Sequence, residues 1–248
     1  MNTAESKIDE ALVALIEIEQ SQVSYAIPPP KGEPAFQYLT GRRPVLISAP
    51  HGTMHWRGGR WKQEEEYTSA MARWLAACTG AHALYATRAM RPDPHTDDDA
   101  GAYKAALAEV LSAGSIRLVV DLHGVRGDRD FALALGTING ASCPSYEPLM
   151  VDHFSAQGFI TCDSVPSLDR MVLNHPSYAG GIHHQTVTRF VWQVCGVEAA
   201  QLELNAWVRV VKRLETATSH KAAPHFCGEP ARIRRLLRAL VSLIEALD

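Results

Sequence analysis

Apolar residues along this chain recur in two alternating periods. In residues 8–18, Ile8, Leu12, Leu15 and Ile16 fall at helical spacing, so a helix is predicted near the start. Residues 26–34 carry Pro28-Pro29-Pro30 and Gly32 and read as a loop. The unbroken apolar run 45–49 predicts a buried strand, 67–77 a helix stopping near Gly80, and 83–87 a short strand. Arg91-Pro92-Asp93-Pro94 breaks the chain. A helix over 100–111 ended by Gly114, a strand over 116–123 and another over 131–135 follow. Helices are expected at 148–157 and 185–194, the latter stopped by Gly196, then a strand at 198–204 and a closing amphipathic helix at 230–247. Strands alternating with helices predict an α/β fold with a largely parallel sheet. No repeat, low-complexity tract or linker divides the chain, so residues 1–248 are read as one domain.

Two of the strand patterns end alike. Val45-Leu46-Ile47-Ser48-Ala49 runs into Pro50-His51-Gly52, and Val119-Val120-Asp121-Leu122 runs into His123-Gly124. Ligand sites in α/β sheets form at the carboxyl ends of strands. Two histidines delivered there are candidate metal ligands. The acidic run Glu64-Glu65-Glu66 lies between them in sequence; two His and one carboxylate make a catalytic zinc set that leaves a position for water. The ordinary alternatives are a hydrogen-bonded histidine at a strand end and an acidic first helical turn. Asp121 precedes His123 by two residues and shares its face, so it can orient a ligand imidazole or bind a cation, or be a buried acid satisfied by backbone amides. In Ala199-Ala200-Gln201-Leu202-Glu203-Leu204 a carboxylate sits in an alternating strand. Half-buried, Glu203 would have a raised pKa and could shuttle protons near neutrality; at a solvent-facing edge it would do neither.

Composition narrows the classes. A chain of 248 residues with 46% apolar content can bury a sizeable core. The formal charge of −3 excludes the basic footprint of a nucleic-acid binder, and no apolar run is long enough to span a membrane. The start, Met1-Asn2-Thr3-Ala4-Glu5-Ser6, is polar and unlike a secretory signal. The 5 cysteines are scattered without a CxxC, which reads as reduced thiols in a cytoplasmic protein.

In order, Ser48-Ala49-Pro50-His51-Gly52, Glu64-Glu65-Glu66-Tyr67-Thr68, Asp121-Leu122-His123-Gly124, Tyr178-Ala179-Gly180-Gly181 and Gln201-Leu202-Glu203-Leu204-Asn205 resemble the N-formylglutamate amidohydrolase family, over roughly residues 45–205. That resemblance implies a three-layer α/β sandwich with a mostly parallel, mixed sheet, as in zinc carboxypeptidases and aspartoacylases. It implies hydrolysis of an amide beside a carboxylate-bearing amino acid with one divalent metal, zinc being expected. His51 and His123 are implied as ligands together with one acid of the run, Glu65 by its spacing to Thr68, with Glu64 the rival. Glu203 is implied as general base. A carboxylate substrate calls for an arginine. Arg57, Arg60, Arg88 and Arg129 are candidates, and Arg88 is preferred because it follows a strand and precedes a Pro-rich turn. Gly180 and Gly181 would let the backbone approach substrate or another strand. Asn174-His175-Pro176 and His183-His184 would lie at the pocket rim. Two departures bear on substrate: His95 stands where family members often carry asparagine after Asp-Pro, and Thr53-Met54-His55-Trp56 differs from the loop after the first histidine in members that act on formylglutamate. A carboxypeptidase-type hydrolase of peptides or cell-wall fragments, and a non-catalytic binding protein on the same scaffold, are the alternative readings.

Overall fold

The computed structural model describes residues 3–95, 101–182 and 184–247. The strands are β1 (Phe36–Leu39), β2 (Val45–Ala49), β3 (His55–Arg57), β4 (Arg60–Lys62), β5 (His82–Ala86), β6 (Leu118–Val125), β7 (Leu133–Gly136), β8 (Met171–Leu173) and β9 (Glu198–Asn205). The helices are α1 (Thr3–Gln22), α2 (Thr68–Thr79), α3 (Ala102–Ser112), α4 (Glu147–Ala156), α5 (Val187–Gln193), α6 (Ala206–Arg209) and α7 (Pro230–Glu245).

Seven strands form one sheet in the order β1-β5-β2-β6-β9-β7-β8, and β3 pairs with β4 in a separate hairpin. β5, β2, β6 and β9 run parallel; β1 pairs antiparallel with β5, and β7 antiparallel with β9. The sheet is mixed and mostly parallel, with helices on both faces. Both faces are covered because the central strands are apolar at successive positions. Val45, Ile47, Ala49, Val120 and Leu122 pack beneath α1, α2, α4 and α7. Leu46, Leu84 and Val119 pack on the opposite face beneath α3 and α5. A one-residue slip would exchange these two sets between different helix layers, so the hydrophobic pattern fixes the register.

Local chemistry sets several boundaries. The second predicted helix starts one residue later than expected, at Thr68, because Tyr67 is left-handed (φ 67°) and donates its N–H to buried Glu19. α5 starts at Val187, two residues late, because the Thr186 side chain caps it by accepting from Arg189 N–H. Ala100, expected to open α3, lies outside the described residues, as does His183. Among the described residues, no helix is long and apolar enough to cross a membrane.

Candidate metal centre and active-site cleft

The parallel strands β2, β6 and β9 bring their carboxyl ends to one edge of the sheet. His51 follows β2 after Pro50, and His123 lies near the end of β6. In the β6–β9 register His123 is the partner of Glu203, and Asp121 the partner of Gln201. The side chains of register partners on parallel neighbours point to the same face.

The three acids between β4 and α2 part company. Glu64 accepts from the Thr218 N–H and hydroxyl at 2.7 and 2.6 Å, and Glu66 pairs with Arg213 at 2.8 Å. Glu65 alone of the three turns to the sheet edge. Its Oε1 is 3.1 Å from His51 Nδ1 and its Oε2 is 3.1 Å from His123 Nδ1. Its backbone N–H donates to the His51 carbonyl, and Gly124 N–H donates to its Oε2 at 2.9 Å.

The far nitrogen of each ring is held by a fully buried acid. His51 Nε2 is 2.8 Å from Asp93 Oδ1, and His123 Nε2 is 3.0 Å from Asp121 Oδ2. Asp121 also accepts from the Ser48 hydroxyl at 2.7 Å. A carboxylate on Nε2 keeps a proton there, so Nδ1, which shares its own proton with Glu65 at 3.1 Å, is the nitrogen a metal would take by displacing that proton. One donor atom each from His51, Glu65 and His123 lies within 4.8 Å of the others. Two imidazole nitrogens and one carboxylate, with both rings oriented by acids, fit a divalent cation.

The electrostatics agree. Burial opposes charge on His51 and His123, yet Asp93 and Glu65 raise the pKa of the first, and Asp121 and Glu65 raise that of the second. Burial would raise Glu65, but the two imidazoles hold it well below the ordinary carboxylate range. The cluster thus concentrates negative potential at the two Nδ1 atoms, and metal binding there would displace protons. Glu203 behaves differently: burial lifts its pKa from 4.5 to about 7. Gln201 Nε2 donates to its Oε1 at 2.7 Å.

A cavity of about 620 Å³ opens over this edge, lined among others by His51, Glu65, His95, His123 and Glu203. Gly180 and Gly181 line it too, and their close approach is to protein: a Cβ on Gly180 would lie 3.0 Å from the Gly136 carbonyl oxygen. Pro176 and His184 form part of the rim, while Asn174 accepts from the Thr137 and Asn139 N–H groups. Arg88, the arginine preferred for a substrate carboxylate, does not line the cavity; its guanidinium is 2.6 Å from the Ser24 hydroxyl, because the chain after β5 turns that side chain toward the loop following α1. Arg57, Arg126 and Arg129 line the cavity instead, whereas Arg60 is exposed on the hairpin.

Sequence reading passed over Asp93, Arg126 and Arg209. The segment 91–94 read as a chain break and as the Asp-Pro before His95, and nothing local marks its acid as buried against His51. Arg209, 4% exposed, donates to the carbonyls of Glu66, Val125 and Leu204. It joins the three segments that carry Glu65, His123 and Glu203.

A mixed, mostly parallel sheet with a His-Glu-His cluster at its carboxyl edge defines an α/β protein with a site that could hold a divalent cation. Among solved structures, the chain is similar to N-formylglutamate amidohydrolase from Ralstonia eutropha JMP134, with TM-score 0.53 and 16% identity over 84% of this chain and 96% of that one. It is also similar to a bacteriophage poly-γ-glutamate hydrolase, with TM-score 0.51 and 14% identity over 87% of this chain and 90% of that one. At these identities the likeness is one of fold. No family model matches the sequence, and no curated protein matches it.

Proposed function

We propose that residues 1–248 act as one metal-dependent amidohydrolase domain, cleaving the amide of an N-acyl amino acid or a related small amide that bears a carboxylate. The observation that carries this reading is the Glu65 carboxylate 3.1 Å from both Nδ1 atoms, with Glu203 beside His123 in the register. His51, Glu65 and His123 are the proposed ligands, and the N,N,O donor set suits zinc. A bound ion would polarise the acyl oxygen and lower the pKa of a water toward neutrality. Glu203, with a pKa near 7, is matched to take the proton from the attacking water and return it to the departing amine nitrogen. Gln201 holds that carboxylate in place, and Asp93 and Asp121 hold the two rings. Arg129, beside the Tyr178 ring, and Arg126 and Arg57 are suited to the substrate carboxylate. Five cysteines, none of them in a disulfide, support a reducing, cytoplasmic setting.

One observation favours a larger substrate. A second cavity, of about 690 Å³, shares Arg57, Glu65, Gly124, Val125 and Arg126 with the first. The cavity over the cluster therefore continues into a second one past Glu65, which suits a peptide or an acidic oligomer better than a formyl group alone.

The test is metal content by elemental analysis after dialysis against a weak chelator, then an amine-release screen. The substrates are N-formyl-L-glutamate, N-acetyl amino acids and short γ-glutamyl oligomers. Protein that holds one metal per chain and releases amine from one of these supports the proposal. Metal-replete protein inert toward all of them refutes it.

A further inference from the structure

His95 is a residue at this edge that the chemistry so far leaves unused. Its backbone N–H donates to Asp93 Oδ1 at 2.7 Å, the same oxygen that holds His51 Nε2. This places its ring beside the cluster, with centroids 4.4 Å from His123 and 4.9 Å from His51. The ring lines the 620 Å³ cavity with Glu65 and Glu203.

Its two nitrogens are unequal. Val187, the first residue of α5, donates its N–H to His95 Nδ1 at 3.5 Å. An Nδ1 that accepts cannot carry a proton, so the proton of the neutral ring is on Nε2. That Nε2 is buried and has no hydrogen-bond partner among the described residues. A buried donor without an acceptor is rare in folded proteins because its desolvation is uncompensated, and in a cleft the acceptor is supplied by water or by a bound group that displaces it. One His95 nitrogen also lies within 4.8 Å of donor atoms of Asp121 and His123, which raises metal ligation as the competing role. A protonated Nε2 has no lone pair to give a metal, and Nδ1 is occupied by Val187. The asymmetry favours a donor over a ligand.

We propose that His95 is a catalytic residue whose Nε2–H donates to the acyl oxygen of the bound amide and strengthens that bond as negative charge develops there. The role rests on the amidohydrolase reading.

The experiment compares wild type, His95→Ala, His95→Phe and His95→Gln in the metal-loaded protein. Three quantities are read: bound metal per chain, kcat and KM on the best amide found, and affinity for a phosphonate analogue of an N-acyl glutamate, tetrahedral at phosphorus, by calorimetry. Removing the donor should lower kcat about 10²–10³-fold, the scale of losing one oxyanion donor, with KM little changed. The phosphonate should weaken in the same variants. His95→Phe, which keeps a ring without a donor, should match His95→Ala, and His95→Gln should recover part of both losses. Metal content should not change. Lost metal in His95→Phe and His95→Gln, or unchanged kcat and phosphonate affinity in folded His95→Ala or His95→Phe, overturns the proposal. If wild type turns over none of the amides, the amidohydrolase reading fails by itself. The phosphonate titration then decides His95 alone: weakening confined to the donorless variants supports it, and equal affinity in all four proteins overturns it.

Discussion

Gly124 and Arg209 occupy adjoining space that no side chain can share: a Cβ on Gly124 would lie 2.5 Å from the Arg209 Cζ. The glycine that follows His123 is therefore there for the guanidinium, which in turn binds the backbone beside Glu65, His123 and Glu203. Gly124→Ala should push Arg209 off those carbonyls. Overpacking of this kind costs about 1–3 kcal/mol, read as a lower urea midpoint at unchanged slope. Because the three tied segments carry the proposed ligands and base, metal affinity should fall along with stability. A variant of wild-type stability and metal affinity would show that Arg209 moves aside freely.

The acidic run offers a sharper separation. Glu65→Gln, His51→Ala and His123→Ala should each abolish tight metal binding, because a site with three protein donors does not survive the loss of one. Glu64→Gln and Glu66→Gln should keep the metal and lose stability instead, since those acids hold Thr218 and Arg213. Bound metal after dialysis, set beside a thermal melt, reads both. Metal loss in the Glu64 or Glu66 variants alone would reassign the ligand.

The strands that carry the candidate ligands were legible because they are buried on both faces. An unbroken apolar run as short as residues 45–49 fits a doubly covered strand, and the residue that ends it marks the sheet edge. The elements missed were short or half-exposed. β1 shows only two partly buried residues among four, and the β3–β4 hairpin alternates Trp and Arg. Its turn was nonetheless written in the sequence. Gly58-Gly59, both with positive φ, join Arg57 to Arg60, and a Gly-Gly pair between two short runs with aromatic residues is a hairpin signal. Asp93 and Arg209 were not legible at all. Their partners, His51 and three separate carbonyls, are brought near by tertiary structure and leave no local trace. Arg88 lies away from the cavity for the same reason, since position beside a strand does not decide which way a side chain turns.

Asp121→Asn tests the orientation of His123. Asparagine keeps the size but can present an N–H to Nε2, which frees the ring to turn or change tautomer. Metal affinity should drop about 10–100-fold, the usual cost of losing such a partner. Competition against a chromophoric chelator measures it. Equal affinity would mean that Ser48 and the packing alone hold the ring.

Glu203→Gln separates base from ligand. The amide keeps size and the contact with Gln201 but cannot take a proton from water. Metal content should be normal, and turnover of the best amide should fall about 10²–10⁴-fold. Normal turnover in metal-replete protein would falsify the role given to Glu203.

Glu19 predicts a pH dependence of stability that is independent of the metal. It is fully buried in α1, accepts from the Tyr25 hydroxyl and the Tyr67 N–H, and has its other oxygen unpartnered among the described residues. Burial raises its pKa from 4.5 to about 7, against the lowering effect of those two hydrogen bonds. The folded state then binds a proton more tightly than the unfolded chain does. The stabilisation is complete below about pH 4.5, declines as pH rises, and is lost by the time pH has passed about 7. Glu19→Gln carries a permanent neutral amide in the same space, so it should not show this decline. Urea unfolding at several pH values between 5 and 8 should find the difference between variant and wild type moving in the variant's favour, by up to about 3 kcal/mol. Other titrating groups are common to both proteins and cancel in that difference. A constant difference across the range would mean that Glu19 is ionised throughout, with Arg209 supplying the compensating charge.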